Sequence, residues 1–289
     1  MTRTPVRSNP QVCIPVLGMH RSGTSAVTRV INLLGVDLGK NLMGATPANP
    51  RGHWERLDLY DFHEAVLAEI GSAWNDPGPI DPCRFDMPAA AKWPDRLSKI
   101  IASEFAESHL FAVKDPRSCR LLPIWYAAAE QLNLELRPIL MLRHPFEVAA
   151  SLNHRQPIET DVALRLWLSH VLEAERSTRT HKRAFVRYED LLRDWRGTLI
   201  AAGQALDIKW PKIDDPVVNN VLNLFVNRGD RHHLHSKNQH DSQLAALAAE
   251  IYTTLSRANG TQDDEDHEIL QTVDHLALKF NTNSYRETI

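Results

Sequence analysis

The chain has 289 residues, 43% hydrophobic and 24% charged, and its 33 Lys and Arg against 36 Asp and Glu leave a formal net charge of −3. These values exclude a disordered chain, which combines low hydrophobicity with high net charge, and a general nucleic-acid coat, which needs a broad cationic excess. The length suits one large α/β domain or two small ones, and three scattered cysteines (Cys13, Cys83, Cys119) suit a reducing, cytoplasmic setting rather than a disulfide scaffold.

Residues 1–10 read as a flexible tail, without the apolar stretch of a signal peptide, and no later run approaches the ~20 residues of a membrane span. Residues 12–17 (VCIPVL) read as a buried strand. The loop GMHRSGTS follows, and then SAVTRVINLLGV repeats apolar residues at helical spacing until Gly35 and Gly39. Residues 44–56 have the Gly and Pro of a long loop. A helix over 57–71, the turn-rich NDPGPIDP and a helix over 93–107 precede a second strand, LFAVK at 110–114. Next come a helix over 118–132, a third strand over 137–142 and a helix from Pro145, a favourable first-turn position. A helix over 159–178 carries an apolar stripe that reads as core around Trp167. A fourth strand over 183–188 and a helix from EDLLRDW complete the alternation. Strands alternating with helices predict an α/β fold with a parallel sheet covered on both faces. Residues 195–289 read as a mainly helical extension, so the whole chain, 1–289, is expected to be one domain.

Charge is uneven. Residues 1–56 hold seven bases against two acids, a net of +5, and residues 241–289 hold nine acids against three bases, a net of −6. The basic front is expected to belong to a pocket for a small, highly charged ligand.

A glycine loop between a strand and a helix is an anion site, because free backbone N–H groups and the helix dipole point at the ligand. Gly18-Met19-His20-Arg21-Ser22-Gly23-Thr24-Ser25 has the GxxxxG outline of a nucleotide loop. A Walker A motif has Lys directly after the second Gly. Thr24 stands there instead, and the cation sits inside the loop at Arg21. A kinase without that lysine lacks its main transition-state cation. The segment Arg21, Ser22, Gly23, Thr24, Ser25 therefore suits one phosphate at the helix start with a single charged group beyond it.

HRSGTS after a strand resembles the 5′-phosphosulfate loop of the PAPS-dependent sulfotransferases (PAPS is 3′-phosphoadenosine 5′-phosphosulfate), closer to the carbohydrate and bacterial type than to the cytosolic phenol type. LRHPFEVAAS resembles that family's 3′-phosphate element, an Arg at a strand end (Arg143) and a Ser two helical turns on (Ser151). An Arg can grip a phosphate with two parallel hydrogen bonds and a Ser hydroxyl can add another. Taken alone, Arg143 also reads as a surface ion-pair residue. VKDPR at 113–117 resembles the stretch where the family places a basic residue, here Lys114, beside the transferred sulfuryl group. Arg117 is expected in a salt bridge to a helix end. RYEDLL at 187–192 resembles the segment that brings a tyrosine, here Tyr188, near adenine, although Tyr188 also reads as an ordinary strand-end aromatic. NRGDRH at 227–232 is the candidate for a flexible basic loop over the nucleotide, through Arg228. The resemblance spans residues 12–192. Two positions depart from it. Many members have Lys where Arg21 stands, and Ala26 and Val27 offer no counterpart to the Trp that stacks on adenine in the cytosolic branch.

The resemblance implies a P-loop-like sulfotransferase fold and transfer of a sulfuryl group from PAPS to a hydroxyl or amine, leaving 3′,5′-ADP (PAP). It implies no metal, and an acceptor of glycan type more than a small phenol. Arg21 and the loop N–H groups would stabilise the leaving phosphate, and Lys114 the bridging or sulfuryl oxygens. A hydroxyl acceptor also needs a base. NPRGHWE at 49–55 offers Glu55 and His53, and related carbohydrate and tyrosyl sulfotransferases tend to use a Glu here, which favours Glu55. Segment 72–94, with Trp74 and Trp93, is expected to border the acceptor cleft. The competing readings are a P-loop kinase using ATP and a non-catalytic nucleotide-binding module. His232, His233 and His235 read as part of the basic loop rather than a metal site. Cys119 reads as structural, and DDEDHE at 263–268 as a solvated run at the last helix.

Overall fold

The computed structural model describes residues 10–46, 49–226, 229, 242–260 and 263–282. β1 (Gln11–Leu17) feeds the glycine loop and α1 (Thr24–Leu33). After the long loop come α2 (Leu57–Glu69), two short 3₁₀ turns, α3 (Trp93–Phe105) and β2 (Leu110–Lys114). α4 (Ser118–Leu132), β3 (Leu134–Leu136), β4 (Ile139–Leu142), α5 (Pro145–Arg155), α6 (Thr160–Ser177) and β5 (Ala184–Arg187) follow. The rest is helical: α7 (Tyr188–Arg193), α8 (Trp195–Leu206), α9 (Pro216–Phe225), α10 (Gln243–Leu255) and α11 (Asp264–Thr282).

Every strand pairing is parallel, in the order β2-β1-β4-β5, with β3 also on β1. The expected third strand is thus two short ones. β1 pairs with β3 at Gln11–Cys13 and with β4 at Val16–Leu17. Pro138, between them, has no N–H for the ladder, which breaks a strand that the apolar pattern alone makes continuous. The fourth strand ends one residue early, and Tyr188 opens α7 instead of closing β5.

Alternation along β1 sends Cys13 and Leu17 to one face, under α2, α3 and α4, and Ile14 and Val16 to the other, under α1, α7 and α8. A third apolar cluster joins α5, α6, α10 and α11 around fully buried Trp167. Sheets covered on both faces by helices bury near-continuous apolar strands, as here. The acidic tail is less solvated than its composition implies. Asp266 is 2% exposed and accepts the Asn259 and Gly260 N–H groups, while Asp274 pairs with Arg179 in the turn after α6.

This order makes β1 and β4 neighbours, so the loops leaving their C-terminal ends meet. Ligand crevices in open parallel sheets lie outside these strand ends.

Candidate functional site

A cavity of about 660 Å³ opens where the loops after β1, β2 and β4 converge. Arg21, Gly23, Thr24, Ser25, Glu55, Lys114, Arg143, Ser151 and Tyr188 all line it, residues gathered from six separate stretches of the chain. Among the described residues five cations (Arg21, Arg51, Lys114, Arg143, Arg155) face it against a single carboxylate, Glu55.

The β1 loop forms the floor. Arg21 has φ +70 and Gly23 φ +91, so the chain reverses tightly twice. Gly23 is needed for space as well as conformation, since a Cβ there would fall within 2.3 Å of the Tyr188 ring. α1 then begins with no capping side chain and no acid in its first turn, leaving its first N–H groups to the cavity. Ser22 departs from expectation. The reversal turns it inward; it is fully buried, it does not line the cavity, and its hydroxyl has no partner among the described residues.

One end of the cavity gathers guanidinium groups. Arg21 Nε donates to Ser151 Oγ at 2.9 Å, and Arg143 Nη1 donates to the Arg21 carbonyl at 3.0 Å. Arg143 is not a surface ion-pair residue. It is 6% exposed, its Nε donates to buried Glu147 at 3.1 Å, and it lies 4.7 Å over the Tyr188 ring. Two of its five N–H groups are thus used, and the other three remain for an anion. Burial, then the charges of Arg155 and Arg143, lower the Arg21 guanidinium from its ordinary value. Arg155 was not picked out from the sequence. Its spacing held the signal, since it stands one helical turn beyond Ser151 on the same face of α5.

The other end is built on Lys114, at the last position of β2. Its ammonium donates to Glu55 Oε1 at 2.5 Å and to the His53 carbonyl at 3.0 Å. Lys114 and Glu55 are 5% and 4% exposed. Two of the three ammonium N–H groups are engaged, and the third is left over. His53 also lines the cavity, with its ring nitrogen Nε2 2.9 Å from Thr46 Oγ1. Burial lowers the His53 imidazole; Glu55 opposes this and Lys114, Arg155 and Arg21 add to it.

Behind Lys114 lies a buried polar chain that sequence reasoning missed. Trp125 Nε1 donates to His63 Nε2 at 3.1 Å, and His63 Nδ1 contacts Asp115 Oδ2 at 3.0 Å. An indole can only donate, so His63 carries its proton on Nδ1 and gives it to Asp115. Asp115 also takes the Arg117 backbone N–H and Nη1, each at 2.9 Å. Burial alone would raise the Asp115 carboxyl; His63 and Arg117 overcome it and hold the group well below the usual carboxylate range. Arg117 does not meet a helix end. It pairs with Asp115 in its own loop and with Glu64 inside α2, under the Tyr60 ring. The signal was faint, because an Asp before Pro ordinarily reads as turn chemistry alone.

The remaining expectations divide. Trp54 lines the cavity at φ +58 with Arg29 4.7 Å over its ring, so Trp54 and Tyr188 are the aromatic faces the loop sequence itself lacks. Trp93 does not border a cleft. It is fully buried, and its indole donates to Glu69. Trp74 is half-buried and packs edge-on to His20, behind the cavity wall. Of the basic front, Arg21 and Arg51 reach the cavity, while Arg56 pairs with Asp58 and Glu104. Cys119 is buried, accepts the Gly18 N–H, and burial pushes its thiol up to about 12. Arg228, His232, His233 and His235 lie outside the described residues. No helix among the described residues is long and apolar enough to cross a membrane.

In overall arrangement the chain is similar to three solved structures. One is the sulfotransferase domain of the olefin synthase of Synechococcus PCC 7002, at TM-score 0.48 and 18% identity, over 86% of this chain and 97% of that one. Another is the sulfotransferase domain of the curacin biosynthetic pathway, at 0.44 and 16%, over 92% and 98%. A third is a sulfotransferase from Mycobacterium avium, at 0.40 and 16%, over 94% and 76%. No family model and no curated protein matches the chain.

Proposed function

We propose that the protein is a sulfotransferase that moves a sulfuryl group from PAPS to an acceptor hydroxyl, releasing PAP. One observation carries this reading: a single cavity joins an Arg21–Ser151–Arg143 cluster at one end to a Lys114–Glu55 contact at the other. The donor has the matching polarity, a 3′-phosphate at one side of the nucleotide and a phosphosulfate at the other.

In this reading Arg143, Ser151 and Arg155 hold the 3′-phosphate. Arg21 reaches from the same cluster toward the 5′-phosphate, which the N–H groups of Gly23, Thr24 and Ser25 also meet. Tyr188 and Trp54 flank the base. Lys114 turns its third N–H to the bridging or sulfuryl oxygens, while its contact with Glu55 fixes that carboxylate where it can take the acceptor proton. Positioning and fixed charge do most of the work, as in phosphoryl transfer. A sulfuryl group carries less charge than a phosphoryl group and needs no metal to shield it. His53 is the weaker candidate for the base, because its ring nitrogen already meets Thr46. The acceptor proposed is of glycan type, on the resemblance to the carbohydrate branch, since Trp93 lies in the core and Trp74 behind the cavity wall. Three free thiols fit a cytoplasmic setting.

Thermal shift tests the reading against a kinase. PAP should raise Tm by several degrees while ATP with Mg²⁺ should not, and labelled PAPS should pass its sulfate to a member of an acceptor panel. A larger shift with ATP and Mg²⁺ would favour the kinase, and PAP stabilisation without transfer would favour a binding module.

A further inference from the structure

The Lys114 end of the cavity holds one more polar side chain, two residues into the glycine loop. His20 lines the cavity, and its ring packs edge-on to Trp74 with centroids 4.6 Å apart. Its Nε2 is shut off from solvent and has no hydrogen-bond partner among the described residues. Enclosed polar atoms are nearly always bonded, so each exception asks for an explanation. An enclosed N–H with no acceptor is rarer than an enclosed lone pair. The proton therefore belongs on Nδ1, the ring nitrogen that is not both enclosed and unpartnered.

The surroundings also decide the charge of the ring. The groups acting on it are Arg117, His170, Lys114 and Asp115, from the end of β2, the loop after it and α6. The one acid among them, Asp115, is already committed to His63 and Arg117. Burial, followed by the nearby Arg117 and Lys114 charges, pushes His20 well below the ordinary histidine value. The ring is thus an uncharged donor beside a charged one. A preorganised neutral imidazole can stabilise developing charge without gaining or losing a proton.

We propose that His20 is a catalytic hydrogen-bond donor whose Nδ1–H binds a sulfuryl oxygen during transfer, next to Lys114 and across from Glu55. This inference rests on the sulfuryl-transfer reading. The bond from the acceptor oxygen to sulfur forms as the bond from sulfur to the bridging oxygen breaks. The electron pair of that broken bond goes to the 5′-phosphate, and the acceptor proton passes to Glu55. His20 begins and ends neutral with its own proton. It is not the base, since accepting a proton would place a third cation beside Lys114 and Arg117.

The test measures PAP release from PAPS, with water and with a panel of hydroxyl compounds as acceptors, alongside PAP binding by thermal shift. His20→Ala should lower turnover about 10²–10³-fold, the usual effect of losing one such donor, and leave the PAP-induced shift within about 1 °C of wild type. His20→Asn, whose amide N–H can stand near Nδ1, should restore at least about tenfold of the loss, because a donor and not a base is what the site lacks. The pH profile of His20→Ala should keep the wild-type shape. Wild-type turnover in His20→Ala, equal loss of PAP binding, or an Asn variant no better than Ala would each overturn the proposal. A wild-type protein that neither binds PAP nor consumes PAPS would instead bring down the sulfuryl-transfer reading, and this inference with it.

Discussion

The two ends of the cavity solve opposite electrostatic problems. At the Lys114 end each charge has an internal partner: Lys114 meets Glu55, and Arg117 meets Asp115 and Glu64. At the Arg143 end three guanidinium groups, those of Arg21, Arg143 and Arg155, gather in the cavity around the buried Arg143–Glu147 pair. A balanced end can pass a proton and redistribute charge with little net change. A cation-rich end relieves its own repulsion by taking an anion. The contrast separates chemistry from binding, and substitutions at the two ends should separate kcat from affinity.

The largest expected effect lies at the balanced end. Glu55→Gln should cut turnover about 10³-fold, within the range for loss of a general base, with PAP binding intact. Because it leaves buried Lys114 without a counter-charge, the double variant Glu55→Gln/Lys114→Met is the control for folding. Wild-type turnover in Glu55→Gln would remove Glu55 from the chemistry. Next comes Arg143→Ala. PAP affinity, followed by calorimetry, should fall about 100-fold, as expected for a lost charge-assisted bidentate contact. Stability should fall by about 3–5 kcal/mol, since Glu147 loses its guanidinium. Adding Glu147→Gln should recover stability but not affinity. A variant that keeps affinity while kcat collapses would erase the distinction between the ends.

The smallest effect concerns the support behind Lys114. Asp115 has a folded-state pKa lowered from the 3.8 of a free Asp. Its stabilisation is therefore fully present above about pH 4 and is lost as pH falls through the folded value. Asp115→Asn should be less stable than wild type by about 2 kcal/mol at pH 7. The gap should narrow progressively below pH 4 in urea titrations. A gap independent of pH would mean that the carboxylate charge contributes nothing.

Much of this architecture was legible in sequence order. LFAVK marked β2 to its last residue, and the helix over 118–132 matches α4. Arg21, Gly23, Thr24 and Ser25 of the loop, and the Arg143–Ser151 pair, line one cavity. What escaped was set by long-range contact. The β3/β4 break depends on Pro138 lying where β1 changes partners. Ser22 looked like its neighbours in composition, but the positive φ of Arg21 and Gly23 turns it to the core. Trp93 gave no local sign that α2 and α4 would enclose it. The His63–Asp115–Arg117 chain joins α2 to the β2 loop, and no periodicity reports a contact across 52 positions.

The hydrogen bond from Arg143 to the Arg21 carbonyl spans 122 positions of sequence. It closes only after β1 has found β4, a non-local parallel pairing of the kind that forms slowly. The binding cavity is therefore a late product of folding. In refolding, helical signal should return well before the capacity to capture PAP, and the delay between them times the zipping of the central strands. A ligand in the surroundings cannot guide the early steps, because the place it would occupy does not yet exist. It can only lock the finished molecule and slow its unfolding.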